Sequence, residues 1–290
     1  MRRETRLPSG SRWKRRTGCS DVKRALIVLA AAVAGAVCLP QAMRQGSEAR
    51  PGISIRRQQL GYPRVRAANR EKDGALRRTV EAKGLVYPPR AIFLRAFKKE
   101  AVLELWGASS GAGPYVFLKS YGICATSGTL GPKRRFGDEQ VPEGFYDLDW
   151  FNPQSNFFLS MHISYPNAAD RVLGSRMNLG GDIFLHGNCA SIGCIPITDD
   201  GIKEVYWLAV LVRDGGAEHL PIQIFPARMS DQGFRDLAKT HPGQSGLVAF
   251  WENLKEGYDQ FEKDHRLAVV RVSKDGRYEF SRESASGNGH

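Results

Sequence analysis

The sequence predicts a mainly β fold with short helices, preceded by a basic N-terminal segment and followed by a helical C-terminal extension. Three observations carry that expectation. From residue 91 onward, short runs rich in Ile, Leu, Val and Phe alternate with turns of Gly, Pro and charged residues, a pattern of strands rather than of long helices. Within the same stretch, helical spacing is confined to a segment after residue 197 and to residues 231–265. The formal charge of +12 is also uneven: residues 1–40 hold nine Lys and Arg against two Asp and Glu, residues 41–90 twelve against four, and residues 91–290 twenty-one against twenty-four. The part that reads as folded is therefore mildly acidic. With 42% hydrophobic residues in 290, the chain can bury one good core plus appendages.

In chain order, residues 1–40 read as an export segment. Arg2, Arg3, Arg6, Arg12, Lys14, Arg15, Arg16, Lys23 and Arg24 precede an apolar run from Ala25 to Leu39, the arrangement of a signal peptide. The run is shorter than the roughly 18–20 residues of an ordinary transmembrane helix. Cleavage at Ala34-Gly35-Ala36 is expected, with a retained membrane anchor as the alternative. Residues 41–90 read as a basic spacer, helical over Asn69 to Lys83. It would be held electrostatically at an anionic membrane or wall surface; a merely solvated linker fits equally well.

Ile92 to Phe97 and Ala101 to Trp106 flank Lys98-Lys99-Glu100 as a hairpin. Tyr115 to Tyr121, Phe157 to Ile163 and Asp182 to Leu185 read as further strands. Thr198 reads as the N-cap of a helix that sets Ile202, Val205, Tyr206 and Ala209 on one face. Pro221 to Phe225 returns to strand. Two helical stretches follow, split by His241-Pro242-Gly243, and a last strand pair turns at Lys274-Asp275-Gly276. Ser284 to His290 has the composition of a disordered tail.

The most informative stretch is His186-Gly187-Asn188-Cys189-Ala190-Ser191-Ile192-Gly193-Cys194, between the run Ile183-Phe184-Leu185 and the helix after Thr198. It places an imidazole and a thiol on either side of a small-residue turn. A free thiol has a pKa of about 8.5 and needs a His, a cation or a helix start nearby to become a nucleophile at neutral pH; His186 and the following helix supply two of these. Gly193 precedes Cys194 and can adopt backbone angles that turn the two consecutive amides toward a carbonyl oxygen. Cys189 has no such glycine, so Cys194 is the candidate nucleophile. The spacing lacks the second ligand pair of a structural zinc site, so no metal is expected, and no cofactor. Counting cysteines after the export segment makes a Cys124–Cys189 pair that frees Cys194 one option. Because the basic residues lie outside the folded region, no nucleic acid is expected as partner.

His-Gly followed by Ser-x-Gly-Cys resembles the active-site segment of the L,D-transpeptidase catalytic domain, the YkuD-type family, and the wording here is most similar to its YafK-like branch. Gly137-Asp138 with Pro142-Glu143-Gly144-Phe145-Tyr146, Leu118 to Cys124, Leu130 to Lys133, Tyr165-Pro166-Asn167 and Phe225-Pro226 with Arg228-Met229 extend the likeness. The resemblance covers residues 91–230 as a catalytic domain and leaves 231–290 as a C-terminal extension. It implies a β-sandwich-like fold with Cys194 as nucleophile and His186 as general base. Gly193 and the Cys194 amide would form the oxyanion site, with Ser191 and Gly187 as loop residues near the reacting centre. His162 and Asn188 are expected to line the cleft, His162 from a strand beside the active-site strand. The implied activity is acyl transfer on peptidoglycan stem peptides in the periplasm or cell envelope, touching the membrane only through the N-terminal segment. Many members carry Arg two positions after the nucleophile, where this chain has Pro196. Hydrolysis, as an amidase that detaches wall-linked lipoprotein or cleaves cross-links, is therefore the alternative, and a non-catalytic wall-binding scaffold is the alternative of another class. Lys133, Arg134 and Arg135 are the candidates to replace the missing arginine.

Overall fold

In the computed structural model, residues 54–282 are described. The expectations for the export segment and for the tail at 284–290 lie outside the described residues. Helix α1 (Ile55–Gln59) and helix α2 (Pro63–Glu81) come first. Proline at the first position of α2 gives up an amide that has no helical partner there, so Pro63 opens the helix six residues before the predicted start. Residues 55–81, expected within a spacer, are two helices built into the core. Val65, Ala68, Leu76 and Val80 are buried, and Trp207 Nε1 donates to Asp73 at 2.8 Å. No helix among the described residues is long and apolar enough to cross a membrane.

Strands β1 (Ala91–Phe97), β2 (Val102–Ala108) and β3 (Val116–Gly122) form an antiparallel meander. Then come β4 (Gly144–Asn152), β5 (Ser160–Ile163), helix α3 (Ala168–Leu173), β6 (Phe184–His186), β7 (Ile195–Pro196), helix α4 (Thr198–Asp214) and β8 (Pro221–Phe225). Helices α5 (Asp231–Thr240) and α6 (Ser245–Asp264) and the hairpin β9 (Val269–Val272) and β10 (Tyr278–Ser281) complete the fold. The first eight strands form one sheet in the order β3-β2-β1-β8-β4-β5-β6-β7. It curls at β4, whose first half pairs with β8 and whose second half pairs with β5, with an irregularity between Leu148 and Trp150.

The mainly β sheet of the prediction is present, with longer helices around it. Helix α4 packs on one face against β1, β5 and β6, and α2 covers α4 in turn; Ile202, Val205, Trp207 and Leu208 are wholly buried. On the other side Trp251, Tyr258 and Phe261 of α6 join Phe93, Phe97 and Phe225. β1 is therefore buried at every residue, as a strand covered on both faces must be. Strand β4 was not predicted: Asp147 and Asp149 interrupt its apolar run, and acidic residues are rare in strands. In the strand both take outward positions, alternating with buried Tyr146 and Leu148, and pair with His219 and His162.

Candidate active site

Strand β6 carries the site because its side chains alternate. Ile183 and Leu185 point into the core, both fully or nearly buried, so Phe184 and His186 point the other way. Parallel pairing sets Leu185 beside Ile195 and His186 beside Pro196, which brings Cys194 next to Phe184. The Phe184 amide donates to Cys194 Sγ at 3.4 Å, and the thiol reaches the Asp182 carbonyl at 3.7 Å. His186 and Cys194 line one cavity of about 460 Å³, together with Phe157, Ile192, Asn152 and Asp182. Among the described residues no hydrogen bond joins the two directly; they face the same space.

His186 is 1% exposed. Its Nδ1 bonds to the Gly187 carbonyl at 2.5 Å, an acceptor, so Nδ1 carries the proton and Nε2 keeps a lone pair. Burial pushes the His186 pKa down, partly opposed by that bond. Burial pushes the Cys194 thiol up, partly opposed by the Phe184 amide. The resting pair is thus neutral imidazole and neutral thiol. The sequence suggests an activated thiolate aided by the helix start; burial acts against that activation at both groups. At the start of α4 the Gly201 amide donates to Thr198 Oγ1 at 3.3 Å, and Asp199 accepts from the Asn188 amide at 2.7 Å.

The loop between β6 and β7 is held by side chains it contains. Ser191 donates to the Cys194 carbonyl at 2.8 Å and accepts from the Gly193 amide at 3.2 Å. With its proton used, the Ser191 hydroxyl accepts from Ser127 at 3.0 Å; Ser127-Gly128 belongs to the segments that carry the family likeness, but nothing in the sequence assigns Ser127 a role. Gly193 has φ +128°, and a Cβ there would lie 3.1 Å from the Gln140 carbonyl, so glycine is required on both counts. Its amide, expected to face the substrate oxygen, is taken by Ser191 in this state. Gly187 is required by crowding: a Cβ would meet Asp199 at 2.6 Å and the Phe157 carbonyl at 2.9 Å.

Neither of the two residues expected as cleft-lining is among those that line this cavity, although the His162 ring lies 5.2 Å from that of Phe184, which does. His162 is not among the cavity residues; its Nδ1 pairs with Asp149 at 2.7 Å. Asn188 also lies outside the cavity, with φ +59° and its side chain accepting from the Cys189 amide at 2.6 Å. Cys189 is bonded to Cys124, with 5.5 Å between their Cα atoms, and Cys194 is free. The basic cluster is largely occupied: Lys133 pairs with Asp138 at 2.6 Å and Arg134 with Asp170 at 3.3 Å. Among the described residues no group of three His, Cys, Asp or Glu gathers as a metal site.

Helix α2 reaches the site. Arg64 donates to the carbonyls of Ser155 and Phe158 at 2.6 and 2.7 Å. It thereby fixes the loop whose Phe157 ring lies 4.6 Å from the His186 ring. No sequence signal ties residue 64 to a loop ninety residues away; only the fold does.

No family model matches the chain. A protein of Escherichia coli strain K12, YafK, provisionally named an L,D-transpeptidase, is 37% identical over 193 residues, covering 66% of this chain and 74% of that protein. Its counterpart in Escherichia coli O157:H7 gives the same values. Among solved structures, the helical cell shape determining protein Pgp2 of Campylobacter jejuni is 16% identical with a TM-score of 0.38, over 63% of this chain and 73% of that one. An L,D-transpeptidase of Xylanimonas cellulosilytica is 10% identical with a TM-score of 0.30, over 47% and 61%.

Proposed function

Because the chain belongs to the L,D-transpeptidase family, we propose that it is a cysteine acyl-transfer enzyme that modifies peptidoglycan stem peptides in the cell envelope. One observation carries the reading: Cys194 and His186, whose Nδ1 is bonded to the Gly187 carbonyl, line a single cavity. Cys194 Sγ attacks the carbonyl carbon of an amide at a diaminopimelate-type residue while its proton passes to His186. The charge that develops on the carbonyl oxygen is met by the amide of Cys194. Gly193 joins it if Ser191 releases its amide. Collapse breaks the C–N bond, the departing amine takes the proton from His186, and a thioester on Cys194 remains. An amine of a second stem peptide, or water, attacks that thioester with His186 again accepting a proton.

Resolution by water is a second reading with its own support. No Lys or Arg lines the cavity, and Pro196 occupies the position where a carboxylate clamp would stand. A transferase must hold its acceptor long enough to outcompete water. The test is to incubate purified protein with muropeptides and a rising excess of acceptor amine, with products read by mass spectrometry. Cys194→Ala should lose all turnover, and wild-type turnover in that variant would overturn the mechanism. Hydrolysed product that persists undiminished as acceptor rises identifies the amidase; exchanged product in its place identifies the transferase.

A further inference from the structure

The cavity beside Cys194 is mostly apolar and contains no cation. Apart from His186 and Cys194 themselves, the only ionisable residue that lines it is Asp182. Asp182 sits at the entry to β6 with φ +56°. Its carbonyl lies 3.7 Å from Cys194 Sγ, which places the residue beside the nucleophile. Its carboxylate has no hydrogen-bond or ion-pair partner among the described residues. Lys133, the cation whose charge reaches Cys194, is engaged with Asp138 at 2.6 Å. The carboxylate also contributes to holding the thiol up, as a negative charge close to the sulfur should.

Asp182 is itself exposed to solvent, so its unpaired carboxylate at the edge of the cavity repels a substrate anion and attracts a cation through a field that water and salt partly screen. We propose that Asp182 determines specificity by binding a protonated amine carried by the acyl donor close to its scissile carbonyl. This inference rests on the acyl-transfer reading above. The amine is a spectator and not the attacking group. A carboxylate beside an amine favours its protonated form, which suits a bound ammonium and disables a nucleophile.

The test uses the full chain and two matched donor peptides, one with a free diaminopimelate-type side-chain amine and one with that amine acetylated. Hydrolysis is followed without added acceptor. The wild type should prefer the free amine by roughly two- to fivefold in kcat/KM, the range of an ion pair at an exposed carboxylate, and added salt should shrink the preference. Asp182→Asn should lose the preference, slowing the free-amine donor relative to the acetylated one; any change through the Cys194 thiol is shared by both donors and cancels in the ratio. Asparagine tolerates positive φ, so the backbone there is preserved. A wild type that treats both donors alike overturns the inference whatever the variant does. So does an Asp182→Asn that slows both donors equally, or one that affects only transfer to an added amine. If Cys194→Ala turns over either donor, the acyl-transfer reading fails instead, and the two failures are told apart on the same plates.

Discussion

His186 and Cys194 have pKa values displaced in opposite directions, and that sets how the site must work. A preformed thiolate–imidazolium pair would need the cysteine lowered and the histidine raised. Burial does the reverse to each. Proton transfer therefore accompanies attack, and the active form has a neutral His186. Lowering the His186 pKa keeps it neutral to lower pH, so the acid limb of kcat/KM should fall with a midpoint below the ordinary histidine value of about 6.5. Alkylation of Cys194 should in turn rise only above the ordinary thiol range near 8.5. A pH–rate profile with iodoacetamide titration of the same sample measures both. A thiol that alkylates fully at pH 7 would contradict the general-base mechanism and favour an ion pair.

At the level of elements, α3 shows how a buried carboxyl can be retained by its bonds. Asn167 caps the helix by accepting from the Asp170 amide at 2.9 Å, and Asp170 accepts in return from the Asn167 amide at 3.1 Å. Tyr146 also donates to Asp170 at 2.9 Å. Burial nevertheless dominates and pushes the Asp170 pKa up to about 6. A carboxyl raised in the fold stabilises while protonated, so this contribution is complete below about pH 3.9 and is lost as pH rises through about 6. Asp170→Asn has no such dependence. Its stability relative to the wild type should improve by up to about 3 kcal/mol between pH 3 and pH 7.5, read by urea denaturation at both pH values. Parallel stability curves would show that Asp170 does not titrate in this range.

Across the whole molecule, the Cys124–Cys189 bond joins the end of the first meander to the active-site loop, 65 residues apart in sequence. Closing so long a loop restricts the unfolded chain, and removing such a bond costs about 2–5 kcal/mol. The double variant Cys124→Ser with Cys189→Ser should unfold at a lower temperature yet keep Cys194-dependent turnover, since neither sulfur touches the reacting atoms. Loss of turnover at a temperature where the variant is fully folded would assign the bond a direct role in shaping the loop.

The sequence by itself determined what is local. Strands β1 and β2, the helix after Thr198 and the hairpin near residue 275 follow from spacing and turn chemistry. The nine residues from His186 to Cys194 name both reactive groups and the glycine that must separate Ser191-Ile192 from the nucleophile. What depends on distant residues was decided only by tertiary structure. Arg64 anchors the loop that carries Phe157, Ser127 completes the Ser191 clasp, and His162 pairs with Asp149 beside Phe184. The direction of the Cys194 pKa belongs to the same group. A neighbouring histidine and helix start predict a lowered value, but the degree of burial reverses it, and burial is a property of packing that no spacing of residues along the chain expresses.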